Sequence, residues 1–284
     1  MALVGIGLFA YPVVSNYLFA MNASTATEDY SDIVDQTNEE ELERLWQEAV
    51  TYNESLEGNP VRDPFLAGSG MVLAENYASL LRLEGTDSMG FISIPTIGVR
   101  LPIYHGTADS ILQRGIGHLE GSSLPIGGLG SHSVITGHTG LVHAKLFTDL
   151  HRMSEGDLFF VHVLDRSIAY EVDQIKVVEP DDVSDLRRTP GEDYCTMVTC
   201  TPYGINSHRL LLRGRRVDYS PEMEGELIAA SRGNMWQWFS EWNMIIGLAA
   251  GLSITVVIII MYVITRRKLA KRRKYWWYEE NGLS

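Results

Sequence analysis

Residues 195–214 read CTMVTCTPYGINSHRLLLRG, and this stretch decides how the rest of the chain is interpreted. Thr196 to Cys200 is short, apolar and rich in β-branched residues, which predicts a strand. Proline, glycine, asparagine and serine follow within residues 201–207, and these residues favour a turn. Arg209 to Val217 is a second apolar run, interrupted by arginines, and it predicts the return strand of a hairpin. A cysteine therefore ends the first strand and an arginine begins the second, so the two can face each other across one loop.

This pairing of residue types suits a thiolate nucleophile. The thiolate is the reactive form of cysteine, and a nearby cation favours it by lowering the pKa of the thiol. A guanidinium can also stabilise the oxyanion that forms on an attacked carbonyl. Spacing alone is weak evidence for this chemistry, but the run of residues that carries it is specific.

Residues 196–200, TMVTC, resemble the T-L-x-T-C signature of sortases, with Met197 where leucine is usual. The continuation over residues 201–209, TPYGINSHR, resembles class C, the pilus-assembling sortases. The resemblance implies a mainly β fold, a sortase-like eight-stranded β-barrel with short helices. It also implies that Cys200 is the nucleophile and that Arg209 stabilises the oxyanion.

The chain has eight histidines that compete for the role of acid and base. Residues 134–139, VITGHT, end a predicted strand at a glycine turn and resemble the sortase T-G-H segment. The resemblance therefore points to His138 as the third catalytic residue. His208 adjoins Arg209 and is also part of the class C pattern, but we expect it to shape the loop.

Residues 59–70, NPVRDPFLAGSG, are rich in proline and glycine and predict a loop, which by itself suggests only a linker. Asp63, Pro64 and Phe65, however, resemble the lid triplet of class C sortases. The resemblance implies that Asp63 pairs with Arg209 and that Phe65 shields Cys200 from water. An exposed ion pair would contribute only ~0–1 kcal/mol, so burial of the ring would have to help hold the lid closed.

The two cysteines are predicted to be free thiols. If Cys195 and Cys200 share one strand, they are five residues and roughly 17 Å apart and point to opposite faces. A disulfide requires Cα atoms within about 7 Å. We therefore expect Cys195 to be a small buried apolar residue.

Many short strands and few helices predict a closed or nearly closed β-barrel. The other predicted strands are Met89–Ile94, Val99–Tyr104, Ser131–Gly137, Leu158–Leu164 and Ser167–Val178, and the predicted short helices are Ala108–Arg114 and one near Lys145–Leu150. Residues 28–59 have a helical pattern that begins with a capping box at Asn38 and Glu41. Its apolar stripe predicts a helix that packs on the barrel, and the stripe consists of Leu42, Leu45, Trp46, Ala49, Tyr52 and Leu56.

Residues 244–264 contain no charge over about 31 Å of helix, which is enough to span a bilayer. Three tryptophans precede this segment and seven basic residues follow it, so a buried core helix is the weaker interpretation. The excess of basic residues places the tail in the cytoplasm and the catalytic domain outside the cell membrane. The tail carries +5 and the rest of the chain −18, a charge that excludes nucleic acid as an expected partner.

The N-terminal residues 1–21 form a second apolar segment, either a retained signal anchor or a cleaved signal peptide. The predicted division is 1–21, then 22–88 with the lid loop 60–70, the barrel 89–219, a linker 220–243, the span 244–264 and the tail 265–284. No pattern in the sequence predicts a cofactor or a metal site.

The resemblance implies a membrane-anchored cysteine transpeptidase of a Gram-positive bacterium. Its substrates would be pilins that carry an L-P-x-T-G-like sorting signal, cut between Thr and Gly. The acyl group would pass through a thioester to a lysine amine of another pilin. Two alternatives are a sortase that anchors proteins to peptidoglycan and a non-enzymatic membrane-tethered scaffold.

Overall fold

The structure is a computed structural model that describes residues 2–56, 63–65, 76–231 and 260–268, with side chains from Tyr11 onwards except Val13. The chain divides into two compact units, Met1–Ser231 and Arg232–Ser284. The first unit contains two long helices and a β-barrel. The described part of the second is the helical segment 260–268.

Eight strands form a closed barrel in the order β1-β2-β3-β4-β7-β8-β6-β5. Their bounds are β1 Ser88–Ile94, β2 Val99–His105, β3 Ile116–His118, β4 Ser131–Thr136, β5 Leu158–Val163, β6 Arg166–Val178, β7 Asp193–Thr201 and β8 His208–Val217. Strand β5 pairs with β1 and so closes the sheet on itself. The predicted eight-stranded barrel is confirmed.

The hairpin predicted around residues 201–207 is present as β7–β8, and the other predicted strands that follow one another closely also pair as hairpins, β1–β2 and β5–β6. Strand β3 was not predicted, because three residues that include Gly117 show no alternating pattern. The short helix α3 is confirmed over Asp109–Leu112. The helix predicted near Lys145–Leu150 is wrong: turns occupy this stretch and end in a 3₁₀ turn at Leu150–Arg152.

The interior of the barrel is filled by aromatic and aliphatic side chains. Phe159 and Tyr170 stack with their centroids 5.4 Å apart, and both are fully buried. Gly214 on β8 makes this packing possible, because a Cβ atom there would overlap the Phe159 ring. Strand β7 is buried along most of its length, so packing in the core fixes the position of its C-terminal end.

Two helices precede the barrel, α1 over Ala2–Gln36 and α2 over Glu39–Ser55. Helix α1 is continuous through Pro12 and past the predicted boundary at residue 21. Its Tyr30 is buried, donates to the Met89 carbonyl at 3.1 Å and accepts from the Leu164 amide at 2.8 Å. Helix α1 is thereby tied to β1 and to the turn between β5 and β6.

Helix α2 begins at the predicted cap, where the Asn38 side chain accepts from the Glu41 amide at 2.8 Å. Its predicted stripe packs on the barrel, with Leu42, Leu45, Ala49, Tyr52 and Leu56 buried and Trp46 partly buried. Asn53 exchanges two hydrogen bonds with the Leu124 backbone, at 3.2 and 2.7 Å. The prediction that this helix docks on the domain is therefore confirmed.

After β8, residues 221–231 form a helical segment that lies against the barrel, beyond its predicted end at residue 219. Glu224 is buried and accepts from Tyr219 at 3.0 Å, and one of its oxygens lies 3.1 Å from His162 Nε2. His162 in turn stacks on Phe91 at 4.4 Å between centroids. These contacts fasten the segment to β1 and β5.

No helix among the described residues is long and apolar enough to cross a membrane. Residues 244–259 of the predicted C-terminal span lie outside the described residues. Much of the N-terminal segment 1–21 lies outside the described side chains. Both spans therefore stay predictions that the described part of the structure does not support.

Candidate active site

Cys200 and Arg209 are direct partners across the β7–β8 hairpin. The turn that joins them is closed by the amides of Ile205 and Asn206, which both donate to the Pro202 carbonyl, at 3.1 and 2.9 Å. Asn206 adopts φ of 59°, a left-handed conformation that asparagine tolerates better than most residues. The turn residues named in the sequence thus place the thiol and the guanidinium side by side.

His138 is brought to the same end of the barrel by the parallel pairing of β4 with β7. Thr136 is level with Val198, so His138, two residues further on, is level with Cys200. The Gly137 amide donates to the Val198 carbonyl at 3.1 Å, and the Thr199 hydroxyl donates to the Gly137 carbonyl at 2.7 Å. The two chain ends that carry the thiol and the imidazole are therefore bonded to each other.

Glycine at residue 137 allows close packing in this arrangement. A Cβ atom there would lie 2.7 Å from Ile116 Cδ1 and 2.9 Å from Phe147 Cδ2. The Phe147 amide also donates to the His138 carbonyl at 3.2 Å. The glycine turn that suggested His138 in the sequence thus serves close packing beneath the histidine.

Asp63 binds the Arg209 guanidinium through both carboxylate oxygens. Arg209 Nε donates to Oδ1 at 2.9 Å, and Nη2 donates to Oδ2 at 2.7 Å. The remaining nitrogen, Nη1, donates to the carbonyls of Asn206 and His208, both at 3.2 Å. Asp63 is only 3% exposed and Arg209 8%, so this ion pair is buried, not at the surface.

Phe65 lies over the same group of residues. Its ring centroid is 5.7 Å from that of His138, and Arg209 Cζ is 5.0 Å from the Phe65 centroid. The ring also packs against a small apolar cluster on the barrel, formed by Leu119, Val134, Leu186, Val198 and Leu211. The described part of the predicted lid therefore rests on the residues that neighbour Cys200.

The two thiols differ in their surroundings, and both are free. Burial raises the pKa of the half-buried Cys200 thiol; Arg209 lowers it and Asp63 raises it, so the net direction is upward. Burial also raises the pKa of Cys195, which is fully enclosed in the core. The prediction of two free thiols, with Cys195 as a buried residue, is confirmed.

One ring nitrogen of His138 has surroundings that no sequence pattern predicts. Its Nε2 atom is buried and has no hydrogen-bond partner among the described residues. The nearest acidic group to it is Asp109, whose Oδ1 lies 3.5 Å away. Asp109 is on α3, distant in sequence from every motif, so no pattern pointed to it.

His208 lies at the entry of β8, as expected of a residue that shapes the loop. Its Nδ1 is 2.7 Å from the neighbouring Ser207 hydroxyl, and its Nε2 is 3.2 Å from Glu179 Oε1.

Among the described residues, no group of three or more His, Cys, Asp or Glu side chains could hold a metal ion.

Comparisons with known proteins agree on one family. The family model described as a sortase domain matches residues 92–217. Sortase D of Bacillus subtilis is 29% identical over 147 residues, which are 51% of this chain and 71% of that protein. Sortase A of Streptococcus agalactiae is 28% identical over 116 residues, 40% of this chain and 47% of that protein.

Solved structures give a closer match. The sortase C of Streptococcus pneumoniae is 44% identical with a TM-score of 0.63, and the match covers 69% of this chain and 98% of that one. The pilus-related sortase C of Group B Streptococcus is also 44% identical, with a TM-score of 0.63 and coverage of 68% and 97%. Sortase C-1 of Actinomyces oris is 45% identical, with a TM-score of 0.60 and coverage of 63% and 99%.

These relatives fit the barrel and the hairpin that carries Cys200 and Arg209, and they rule out the interpretation as a non-enzymatic scaffold. The chain belongs to the sortase family, has class C pilus sortases as structural neighbours and is a cysteine transpeptidase.

Proposed function

We propose that this transpeptidase assembles pili. It would cut an L-P-x-T-G-like sorting signal of one pilin between Thr and Gly and join the Thr to a lysine amine of another. The observation that carries the proposal is the placement of Cys200, His138 and Arg209 at one end of three neighbouring strands. The similar sortase C of Streptococcus pneumoniae has pilin substrate specificity and that of Group B Streptococcus is pilus-related, which favours a pilin as the substrate.

Each residue has a role that its position supports. Cys200 gives its thiol proton to His138 as Sγ attacks the Thr carbonyl, and the carbonyl electron pair moves to the oxygen, where the Arg209 guanidinium stabilises the negative charge. His138 then gives that proton to the Gly amine as the Thr–Gly bond breaks, which leaves a thioester on Cys200. A lysine amine attacks the thioester and yields a proton to His138. As the isopeptide bond forms and the C–S bond breaks, His138 passes this proton to Sγ, which restores the thiol.

The buried ion pair sets a condition for this reaction. Arg209 directs Nε and Nη2 to Asp63, so these donors are engaged as long as residues 63–65 stay in place. The oxyanion needs the same donors. We therefore propose that residues 63–65 act as a lid, which the sorting signal displaces when it binds.

The test is peptide transfer by the purified full chain, with an L-P-x-T-G-containing peptide as donor and a lysine-containing peptide as acceptor. Mass spectrometry should show cleavage between Thr and Gly and a branched product. Cys200→Ala should abolish both, His138→Ala should be nearly as severe, and Arg209→Ala should reduce kcat by about 10²–10³. Cys195→Ala is the matched control and should keep its activity. Near-normal turnover by Cys200→Ala would contradict the proposal.

The same assay separates pilus assembly from anchoring to the cell wall. An enzyme that anchors proteins to peptidoglycan would prefer the amine of a cross-bridge peptide over a lysine side chain. Supplying both acceptors in equal amounts and quantifying the two products decides between them. We expect the lysine product to dominate, and a dominant cross-bridge product would favour anchoring.

We also propose that the chain is held in the cell membrane with its barrel outside and its basic tail in the cytoplasm. The support is the uncharged run 244–264 followed by seven basic residues. Protease added to intact protoplasts should digest the barrel and spare a tag placed after Ser284. Digestion of the tag together with protection of the barrel would reverse this orientation.

A further inference from the structure

Asp109 is the acidic side chain that faces the buried nitrogen of His138. Its Oδ1 atom lies 3.5 Å from His138 Nε2, an atom without a hydrogen-bond partner among the described residues. A buried polar nitrogen without a partner is uncommon and calls for an explanation. The other side of the Asp109 carboxylate is open to water, since the side chain is 82% exposed.

The backbone holds Asp109 at this position. Helix α3 lies in the crossover between the parallel strands β2 and β3, and Asp109 is its first residue. The turn is closed by the Leu112 amide, which donates to the Ala108 carbonyl at 3.1 Å. Leu112 is 2% exposed and packs so closely that a Cβ atom on Gly117 would lie 2.9 Å from it.

The same region carries His138. Gly117 of β3 pairs with Thr136 of β4, and His138 follows Thr136 by two residues. Asp109 therefore lies on the helix that leads into β3, and His138 follows the end of the adjacent strand β4, which leaves 3.5 Å between Asp109 Oδ1 and His138 Nε2. Hydrogen bonds between catalytic groups are often long in the free enzyme and shorten when the substrate binds.

The charged and titratable groups near His138 come from three other elements. Cys200 lies on β7 and Arg209 on β8, and Asp63 neutralises Arg209 from the lid. Asp109 has no other ion-pair partner among the described residues, whereas Asp63 is fully engaged. When the lid leaves, the Phe65 ring no longer contacts His138, and Asp109 is the anion that remains beside it.

We propose that Asp109 is a positioning residue for His138: its carboxylate accepts a hydrogen bond from Nε2 once the lid is displaced, fixes the ring and favours the protonated form that delivers a proton to the leaving amine. A histidine that acts as acid and base needs such an orienting partner. This inference rests on the proposed role of His138. An exposed ion pair contributes little to folding stability, so the effect should be seen in the reaction and not in folding.

The first test compares the pH dependence of kcat/KM for the peptide cleavage catalysed by Asp109→Asn, Asp109→Glu and the unchanged chain. In Asp109→Asn we expect kcat/KM to fall about tenfold and its basic limb to move about half a pH unit lower, with KM unchanged. Asp109→Glu should recover most of the loss. Asp87→Asn, which changes another exposed carboxylate that pairs with Arg82 and Arg114 and not with His138, should behave like the unchanged chain.

The second test does not depend on turnover. In a Phe65→Ala background, which removes the ring from His138, the imidazole nitrogens are followed by NMR during a pH titration. Adding Asp109→Asn should lower the titration midpoint of His138 and change the proportion of its tautomers. Identical midpoints and identical pH–rate profiles with and without Asp109 would overturn the inference.

Failure of the proposed function gives a different result. If the unchanged chain does not cleave any L-P-x-T-G-like peptide, the proposed substrate is wrong, and the NMR titration still reports on Asp109. If the unchanged chain cleaves the peptide and Asp109→Asn has the same profile, only the role of Asp109 is rejected.

Discussion

At the scale of single residues, the same donors of the Arg209 guanidinium cannot bind the Asp63 carboxylate and a substrate oxyanion at the same time. Arg209 holds Asp63 through two hydrogen bonds, and the pKa of Cys200 lies above its ordinary value because burial outweighs the nearby cation. The thiol form is therefore favoured in this arrangement. The proposed mechanism requires that the guanidinium exchange the carboxylate for the reacting groups.

A second residue-scale feature is the Thr199 hydroxyl, which bonds the strand of Cys200 to the turn of His138 at 2.7 Å. Thr199→Val keeps the shape of the side chain but leaves the buried Gly137 carbonyl without this donor. We expect a loss of about 1–3 kcal/mol in the free energy of unfolding and a clear fall in kcat/KM, because the histidine is less firmly placed.

Thr196→Val provides the matched control. Thr196 lies on the same strand, is equally buried and bonds His132 at 2.7 Å. Its substitution should destabilise the barrel to a similar degree while kcat/KM stays close to normal. Equal losses of activity in both variants, measured where both are folded, would show that the Thr199 bond has no special role in the site.

The residues of this site were accessible from the sequence to different degrees. Cys200 and Arg209 lie in one contiguous run, and the β7–β8 register pairs them as the hairpin predicted. Thr199 is inside the same run, but its hydroxyl contact crosses to another strand and has no sequence signal. Asp109 approaches His138 only because the parallel crossover returns the chain to the same end of the barrel.

At the scale of elements, the lid is the feature with the clearest consequence. Its Asp63 raises the pKa of Cys200 through its charge, after burial, which is the largest cause. Phe65→Ala reduces burial and Asp63→Asn removes the charge, so both should lower the pKa of the thiol. We expect a small neutral thiol reagent to modify Cys200 about tenfold faster in each variant near neutral pH.

Asp173→Asn is the control for the lid variants, because Asp173 also forms a two-fold contact with an arginine. Arg213 donates to it at 2.9 and 3.0 Å, on the barrel strands and not on the lid. In Asp173→Asn, the thiol reagent should modify Cys200 at the same rate as in the unchanged chain. If neither lid variant reacts faster than Asp173→Asn, residues 63–65 are only a linker.

Strands were easier to predict than the segments between them, for reasons visible in particular residues. Strand β7 has a strong β-branched run, whereas β3 has three residues and is recognisable only from its neighbours. The stretch 145–150 has apolar residues at helical spacing, but Leu146 adopts φ of 39° and the Thr148 hydroxyl accepts from the Gly140 amide at 3.1 Å. These local contacts replace the helix with turns.

At the scale of the whole molecule, two buried histidines set the response to acid. Burial lowers the pKa of His118 and of His132 to about 4 each. Both stay neutral in the folded chain below pH 6.5, where they take up protons when the chain unfolds. The folded state therefore loses stability as the pH falls from about 6.5 towards 4.

We expect the free energy of unfolding to fall by roughly 2 kcal/mol per histidine between pH 7 and pH 5. Denaturant titrations at the two pH values measure it. His118→Gln lowers stability at both values but should reduce the difference between them by about half. The exposed His151→Gln should leave the difference unchanged. A His118→Gln chain with the full difference would contradict the assignment.

The division of the chain also shows what sequence patterns can and cannot give. Apolar periodicity identified α2 because one face of that helix packs on the barrel. The hydrophobicity predicts a boundary at residue 21, whereas α1 continues to Gln36, since Tyr30 bonds Met89 and Leu164. The predicted barrel ends at residue 219, because the burial of Glu224 against His162 is not visible in the sequence.

The most direct test of the account is the mass of the intact chain after brief incubation with an L-P-x-T-G-containing peptide and no acceptor amine. We predict that the mass of the chain increases by the mass of the peptide fragment that ends at Thr, which Cys200 carries as a thioester. The gain should persist in Cys195→Ala, disappear in Cys200→Ala and be lost when a lysine amine is added. A chain that cleaves the peptide without this adduct in rapid-quench samples, or that carries it on another residue, would contradict the central claim.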